Sequence, residues 1–465
     1  MTTYDVLDRA RDLAHAYLQQ VRTRHVGGTA TQAALVAALG GPLPEGPRDS
    51  IEVIERLARD ADAGLAATVG PRYFGFVTGG ALPVTVAAEW LASAWDQNGG
   101  LYVMSPAVAV MEDIVSRWLV DLLGLPPRSS VGFVTGCHMA NFTGLAAARH
   151  EVLRRAGWDV EAQGLQRAPR VTVIVGGEVH VSAIGALRML GFGTDELRRV
   201  PVDSQGRMRP DLLREVLSTV SGPAIVCAQA GNVSTGASDP IGLIVDLAHA
   251  RGAWVHVDGA FGLWAATVPE LAAQVEGMER ADSWATDAHK WLNVPYDSGL
   301  AIVADPAPHR AALSLQASYL QRGDDEERVG MDWVPESSRR ARVIPLYALV
   351  RALGRQGIAD LVRRTCALAR RMAARLSRQP DVAILNEVVL NQVLVQFSGL
   401  RGRDADVTTR EVIDRVQADG TCWAGGAVWQ GRQAMRISVS NWSTTEEDID
   451  RSADAILRCH RDLAT

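Results

Sequence analysis

Lysine is almost missing. Of 47 basic residues in this 465-residue chain, 46 are arginine and one is Lys290. Arginine replaces lysine well as a surface cation, but its guanidinium stays protonated and is a very poor nucleophile. A retained primary amine is what imine chemistry with a carbonyl compound requires, although biased codon usage also leaves lone lysines behind. The five cysteines, Cys137, Cys227, Cys366, Cys422 and Cys459, are scattered and form no CxxC pair. That argues against a disulfide framework or a structural zinc site and suits a reducing cytoplasm. No apolar run reaches the ~18–20 residues of a membrane span, and the N-terminus is charged throughout, unlike a secretory signal. A net charge of −6 offers nothing global to attract nucleic acid or an anionic membrane. The expectation is a soluble cytoplasmic protein.

At this length two or three domains are expected. Residues 4–20 carry apolar side chains at helical spacing, and a Gly/Pro-rich break follows at 40–50. A second helix is predicted from Asp49 or Ser50, with Ser50 as its cap. Short β-rich runs then alternate with amphipathic stretches. GFVTG (132–136) precedes a helix at 139–155, VTVIVG (171–176) one at 180–190 and AIVCAQ (224–229) one at 241–251; WVHVDG (254–259) follows. This alternation predicts parallel βαβ units, an α/β sheet covered on both faces, and ligands beyond the carboxyl ends of its strands. From 346 the pattern resets to a long helix (346–378), VVLNQVLVQF (388–397), a helix at 407–418, MRISVS (435–440) and a closing helix at 445–463. The boundaries read as a helical segment over 1–75, a large domain over 76–345 and a small α+β domain over 346–465. The charged stretch 321–338 reads as a long mobile loop.

Polar motifs follow the strands. ATDAHKW (285–291) places His289 and Lys290 after a short predicted strand, and WVHVDGAFG (254–262) ends a buried strand with Asp258 and small residues. Alone, HVDG is equally well read as a helix cap or a turn. Beside the single lysine it points to pyridoxal 5'-phosphate. Lys290 would hold the cofactor aldehyde as a Schiff base, and Asp258 would pair with the pyridine nitrogen and keep the ring an electron sink. FVTGCHMANFTG (133–144) reads as strand, small-residue turn and helix start, where backbone amides and the helix dipole receive a phosphate. Gly136, Cys137 and His138 line that turn, with Asn141 just inside the helix. His138 has no second His, Cys or carboxylate at ligand spacing, so no metal is expected. His180, after the next strand, is placed to lie flat against the pyridine face.

TGCHMAN, GEVH, AGNVSTGASDP, HVDGAFG and ATDAHKWLNVPYDSG, in that order, resemble the group II pyridoxal-phosphate decarboxylases. That family includes aromatic L-amino-acid, histidine, tyrosine and glutamate decarboxylases. The similarity runs from about residue 70 to the C-terminus, with a matching helical segment before it. It implies an aspartate aminotransferase-like fold type I, with a mostly parallel seven-stranded sheet and a small C-terminal domain. It also implies a homodimer with shared active sites and the 1–75 segment at its interface. The activity implied is removal of the α-carboxylate of an L-amino acid to give the amine and CO2. By position, Lys290 is the Schiff-base lysine, Asp258 the pyridine-nitrogen partner and His180 the stacking histidine, with Ala260 against the other ring face. The resemblance places His289 at the phosphate or the bound substrate, Asn232 by the ring substituents and Thr78 near the substrate carboxylate. Ser338 would reach the phosphate held by the partner subunit.

Two departures bear on product and substrate. Many family members carry a loop tyrosine that protonates the carbanion after CO2 leaves. The matching stretch, ERVGMDWVPESSRRAR (327–342), has none; Gly330 or Met331 stands there, with Trp333 nearby and Tyr319 upstream. Its loss implies, by the same resemblance, decarboxylation with oxidative deamination to an aldehyde as an alternative. A transaminase-like activity is another, and a non-catalytic dimeric scaffold is the rival from a different class. The threonine expected beside the ring in many aromatic decarboxylases is Val233. Trp423 and Trp429, with Leu101 and Tyr102 from a partner chain, suggest an apolar substrate pocket, although core packing explains most of the twelve tryptophans. Arg436 is read either as binding an acidic substrate tail or as tethering its loop.

Overall fold

The short apolar runs of the central region pair into one sheet. The computed structural model describes residues 4–315, 327–398 and 403–463. Strands β1 (Ser130–Val134), β2 (Thr172–Gly176), β3 (Arg198–Val200), β4 (Ala224–Gln229), β5 (Trp254–Asp258), β6 (Ser283–Asp287) and β7 (Gly299–Val303) lie in the order β1-β7-β6-β5-β4-β2-β3. From β3 to β6 the neighbours are parallel, joined through crossovers; β7 is antiparallel to both β6 and β1. This is the mostly parallel seven-stranded sheet expected. β1, β5, β6 and β7 are buried at every residue, as strands covered on both faces must be.

The reversed strand shapes the site. Its first residue, Gly299, lies opposite both Val134 at the end of β1 and Asp287 at the end of β6. The carboxyl ends of β1 and β6 therefore meet the amino end of β7 at one edge. A Cβ on Gly299 would sit 2.4 Å from the Gly136 Cα, so only glycine permits this approach of two backbones.

A second, antiparallel sheet comprises β8 (Val382–Ile384), β9 (Gln392–Phe397), β10 (Gly425–Trp429) and β11 (Arg432–Ser438), in the order β10-β11-β9-β8. Helices Ala405–Asp419 and Glu446–Arg461 pack on it, the latter opened by a reciprocal Thr445–Asp448 capping box. The long helix Val343–Leu376 breaks its helical course at Gly354, whose φ is 56°. Phe74 joins this sheet through Phe74 N to Trp423 O (2.8 Å) and Ser438 N to Phe74 O (2.9 Å).

Some local expectations need correcting. Helix Ser50–Ala61 is capped by Asp49, whose Oδ1 accepts from the Ile51 and Glu52 amides, so Ser50 lies inside the helix. The strand predicted at 388–397 begins only at Gln392; Asn391, just before it, bonds through its side chain to Val439 O and Ser440 Oγ. The supposed mobile loop is a packed strap over 327–338, while 321–326 lies outside the described residues. Met331, Asp332 and Val334 are buried there, and the buried Glu112 pairs with Arg328 (2.8 Å) and Arg339 (2.6 Å). Charges so buried persist only when paired. Among the described residues no helix is long and apolar enough to cross a membrane.

Candidate active site

Lys290 stands three residues beyond β6, with Nζ 3.0 Å from Asp287 Oδ2. Its turn is bolted in place by Asn293, which has φ 58°. Asn293 Nδ2 donates to Trp291 O (2.8 Å) and Ser440 O (2.9 Å), and its Oδ1 accepts from Trp442 N (2.8 Å). Gly79 lies so close to the Lys290 carbonyl that a Cβ there would come within 1.7 Å of the oxygen. This contact brings the buried Thr78 alongside the lysine. Phe76 and Val77, just before it, hold φ of 53° and 58°, a conformation that non-glycine residues rarely adopt.

Asp258 ends a directed chain of hydrogen bonds. The Trp254 indole N–H donates to Ser283 Oγ (2.9 Å), and that hydroxyl donates to His256 Nδ1 (2.8 Å). His256 Nε2–H donates to Asn141 Oδ1 (2.8 Å), and Asn141 Nδ2 donates to Asp258 Oδ2 (3.2 Å). All five side chains are buried. Burial lowers the His256 imidazole to about 4, so it stays neutral and its tautomer is set by its neighbours. The other carboxylate oxygen, Oδ1, is met by Cys137 Sγ (3.4 Å) and Ala260 N (3.3 Å).

At the turn after β1 the Cys137 amide donates to Asp287 Oδ1 (2.6 Å), and His289 Nε2 lies 3.3 Å from the same oxygen. Ser298 N donates to His289 Nδ1 (3.1 Å), which leaves the ring proton on Nε2. A Cβ at Gly136 would meet His289 Cε1 at 2.9 Å and Asp287 Oδ1 at 3.3 Å, so glycine keeps this cradle open. Burial alone would lower the Lys290 ammonium; Asp287 above all, then Cys137 and Asp258, overcome it and hold the amine above its ordinary value. His180 caps helix Val181–Met189 by accepting from Ser182 N through Nδ1 (3.2 Å). Its imidazole is lowered, first by burial, while Asp258 acts in the opposite sense and Lys290 and Arg436 add to the lowering.

Lys290, Asp258, His180, His289, Ala260, Gly136 and Cys137 therefore converge, with Thr78 next in sequence to the Gly79 that touches the lysine's backbone. Asn141 joins them through Asp258 and His256. Other candidates do not. His138 is exposed and lies over Gly185. Asn232 folds back on its own loop, accepting from the Ser234 and Thr235 amides. Trp429 is core, buried with Leu394 and Ala434. Trp333 turns its ring to His309 and Arg328 on the β1 side of the sheet. Ser338 is exposed, and Leu101 and Tyr102 are half-buried beside exposed Val103 and Met104. Tyr319 lies outside the described residues. Arg436 lies on β11, and its half-buried side chain has no hydrogen-bond or ion-pair partner among the described residues, so no tether is seen there. Sequence reasoning missed Asp287, although an acid three residues before the lysine at a strand end was visible. It also missed Phe76, whose exposed ring lies 5.5 Å from that of Trp423, itself stacked on Tyr73 at 5.0 Å.

A mostly parallel sheet that gathers one amine, one bonded carboxylate and a glycine-lined turn at its strand ends defines a pyridoxal-phosphate enzyme of fold type I. Residues 38–398 match the pyridoxal-dependent decarboxylase conserved domain, and the chain belongs to that family. It is a pyridoxal 5'-phosphate-dependent amino-acid decarboxylase. Tryptophan decarboxylase 1 of Oryza sativa is 29% identical over 425 residues, covering 85% of this chain and 81% of the relative. L-2,4-diaminobutyrate decarboxylase of Rhizobium meliloti is 30% identical over 394 residues, covering 82% and 77%. The structure of the Oryza sativa tryptophan decarboxylase with PLP and tryptamine shares the fold, with a TM-score of 0.92 at 24% identity, covering 99% of this chain and 98% of that one.

Proposed function

We propose that this enzyme decarboxylates an L-amino acid with an aromatic or other apolar side chain, using Lys290 as the amine that holds the cofactor. The observation that carries the assignment is the chain's one ε-amino group, within hydrogen-bond distance of a buried carboxylate at the meeting of three strand ends. The residues fit the group: a glycine-lined cradle with a helix amide for its phosphate, and Asp258 for its ring nitrogen. When bound, pyridoxal 5'-phosphate supplies a cationic conjugated ring that stores the electron pair left by departing CO2. Asp258, fixed by Asn141, holds a proton at the pyridine nitrogen. His180, its imidazole lowered by burial and anchored at its helix cap, would cover one ring face and Ala260 the other. Gly136, Cys137 and His289 would line the phosphate seat. Arg436, whose side chain has no partner among the described residues and which is electrostatically coupled to His180, receives a substrate carboxylate, with Thr78 as a second contact. Phe76, Tyr73 and Trp423 offer an aromatic wall to the side chain.

The enzyme works in this reading as a homodimer. Helices Asp5–Gln20 and Ser50–Ala61 bury no residue in the single chain, and Leu7, Leu57, Trp90 and Trp95 are exposed beside or near them. An apolar face of that extent calls for a partner, and a second copy places Leu101, Tyr102 and Ser338 within reach of its site. Five buried cysteines without a disulfide support a reducing cytoplasm. One observation favours a second reading of the product: Gly330 and Met331 are buried in the strap and present no acid to the carbanion. The aldehyde-forming route is therefore kept as the alternative. Lys290→Arg should abolish both the imine absorbance and CO2 release; turnover in that variant would end the proposal. Screening L-amino acids for CO2, with oxygen uptake and product identity measured together, separates amine from aldehyde.

A further inference from the structure

Asp287 closes the turn assigned above to the cofactor's phosphate. One oxygen takes the Cys137 amide at 2.6 Å, the first amide of helix Cys137–Arg155, and lies 3.3 Å from His289 Nε2. The other holds the Lys290 ammonium at 3.0 Å. Gly136, the N-cap, makes no side-chain cap hydrogen bond, so a carboxylate at the end of β6, two strands from β1, substitutes. Its side chain is almost wholly buried, at 2% exposure, and therefore poorly screened.

We propose that Asp287 is a cofactor-positioning residue that stands in for the phosphate: in the cofactor-free enzyme it caps the phosphate turn and pairs the lysine, and it must yield the Cys137 amide when the phosphate enters. This rests on the assignment of that turn to the phosphate. The physical reason is charge. A phosphate monoester carries between one and two negative charges at neutral pH, and a buried carboxylate on the same amide repels it. The same carboxylate stabilises the empty site by satisfying the amide and the ammonium. The device thus trades cofactor affinity for order in the empty state, and the trade is specific to the phosphate rather than to the aldehyde.

That specificity gives the test. Cofactor-free wild type, Asp287→Asn and Asp287→Ser are titrated with pyridoxal 5'-phosphate and, separately, with pyridoxal, which lacks the phosphate. Imine absorbance reads the dissociation constant of each. The proposal expects both substitutions to raise the preference for pyridoxal 5'-phosphate over pyridoxal at least about tenfold relative to wild type. It also expects them to lower the thermal midpoint of the cofactor-free protein. If both ligands change affinity by the same factor, the preference is unchanged, Asp287 acts only on Lys290 and the proposal is overturned; a lowered preference overturns it equally. If wild type binds pyridoxal as tightly as pyridoxal 5'-phosphate, the phosphate-turn assignment itself fails, which is a separate result.

Discussion

Asn141 and His256 should behave as one unit, because each satisfies the other in a site closed to water. Asn141→Leu removes a donor to a carboxylate, about 1.5–3 kcal/mol, and orphans the His256 Nε2–H, about 1–3 kcal/mol more. A loss of about 3–5 kcal/mol in unfolding free energy follows. His256→Leu orphans Asn141 Oδ1 and leaves the Ser283 hydroxyl without its acceptor, for about 2–4 kcal/mol. In the double variant neither residue has a stranded partner across the lost bond. Its cost should fall short of the sum by about 1–3 kcal/mol, a typical coupling for groups in one network. Urea unfolding of the four cofactor-free proteins measures the cycle. Additivity to within about 0.5 kcal/mol would show that the chain of hydrogen bonds is a geometric coincidence, and would refute the claim that it fixes Asp258.

Three other outcomes are expected. Arg436→Met should lower kcat/KM roughly 10–100-fold, the value of a hydrogen bond to a charged group, while leaving the imine absorbance intact; steady-state kinetics with the preferred amino acid checks it. Gly299→Ala would force a Cβ to within 2.4 Å of Gly136, so cofactor content per chain and the thermal midpoint should both fall. Burial depresses His256 to about 4 and His309 to about 3, so the unfolded chain binds more protons below the ordinary value of 6.5. Their contribution is complete above pH 6.5 and is lost as pH falls through that window, about 3 kcal/mol each by pH 4. His309→Gln should flatten this slope in urea unfolding measured across pH.

The alternation of apolar runs and helical stretches made the parallel part of the sheet legible, because β2, β4 and β5 are buried runs bounded by small residues. β3 spans three residues, two of them exposed arginines, and carries no such signal. β7 was hidden because its antiparallel return follows a motif read only for its lysine. Lys290 and Asp258 stood out through scarcity and position. Asp287 did not, since its importance lies in the turn that β7 brings beside it, a contact between residues 150 apart. Aromatic residues were the least legible. Nothing in local spacing distinguishes Trp429, which fills core, from Trp423, which stacks on Tyr73 near Phe76.

The bolt at Asn293 has a mechanical consequence. By tying the lysine's turn to Ser440 and Trp442, it gears the reactive amine to the antiparallel sheet instead of to the central one alone. Any rocking of that sheet toward or away from the strand ends must carry the nucleophile along or break two hydrogen bonds. Movement elsewhere in the molecule therefore reaches the amine as a displacement of its own backbone, without passing through the substrate.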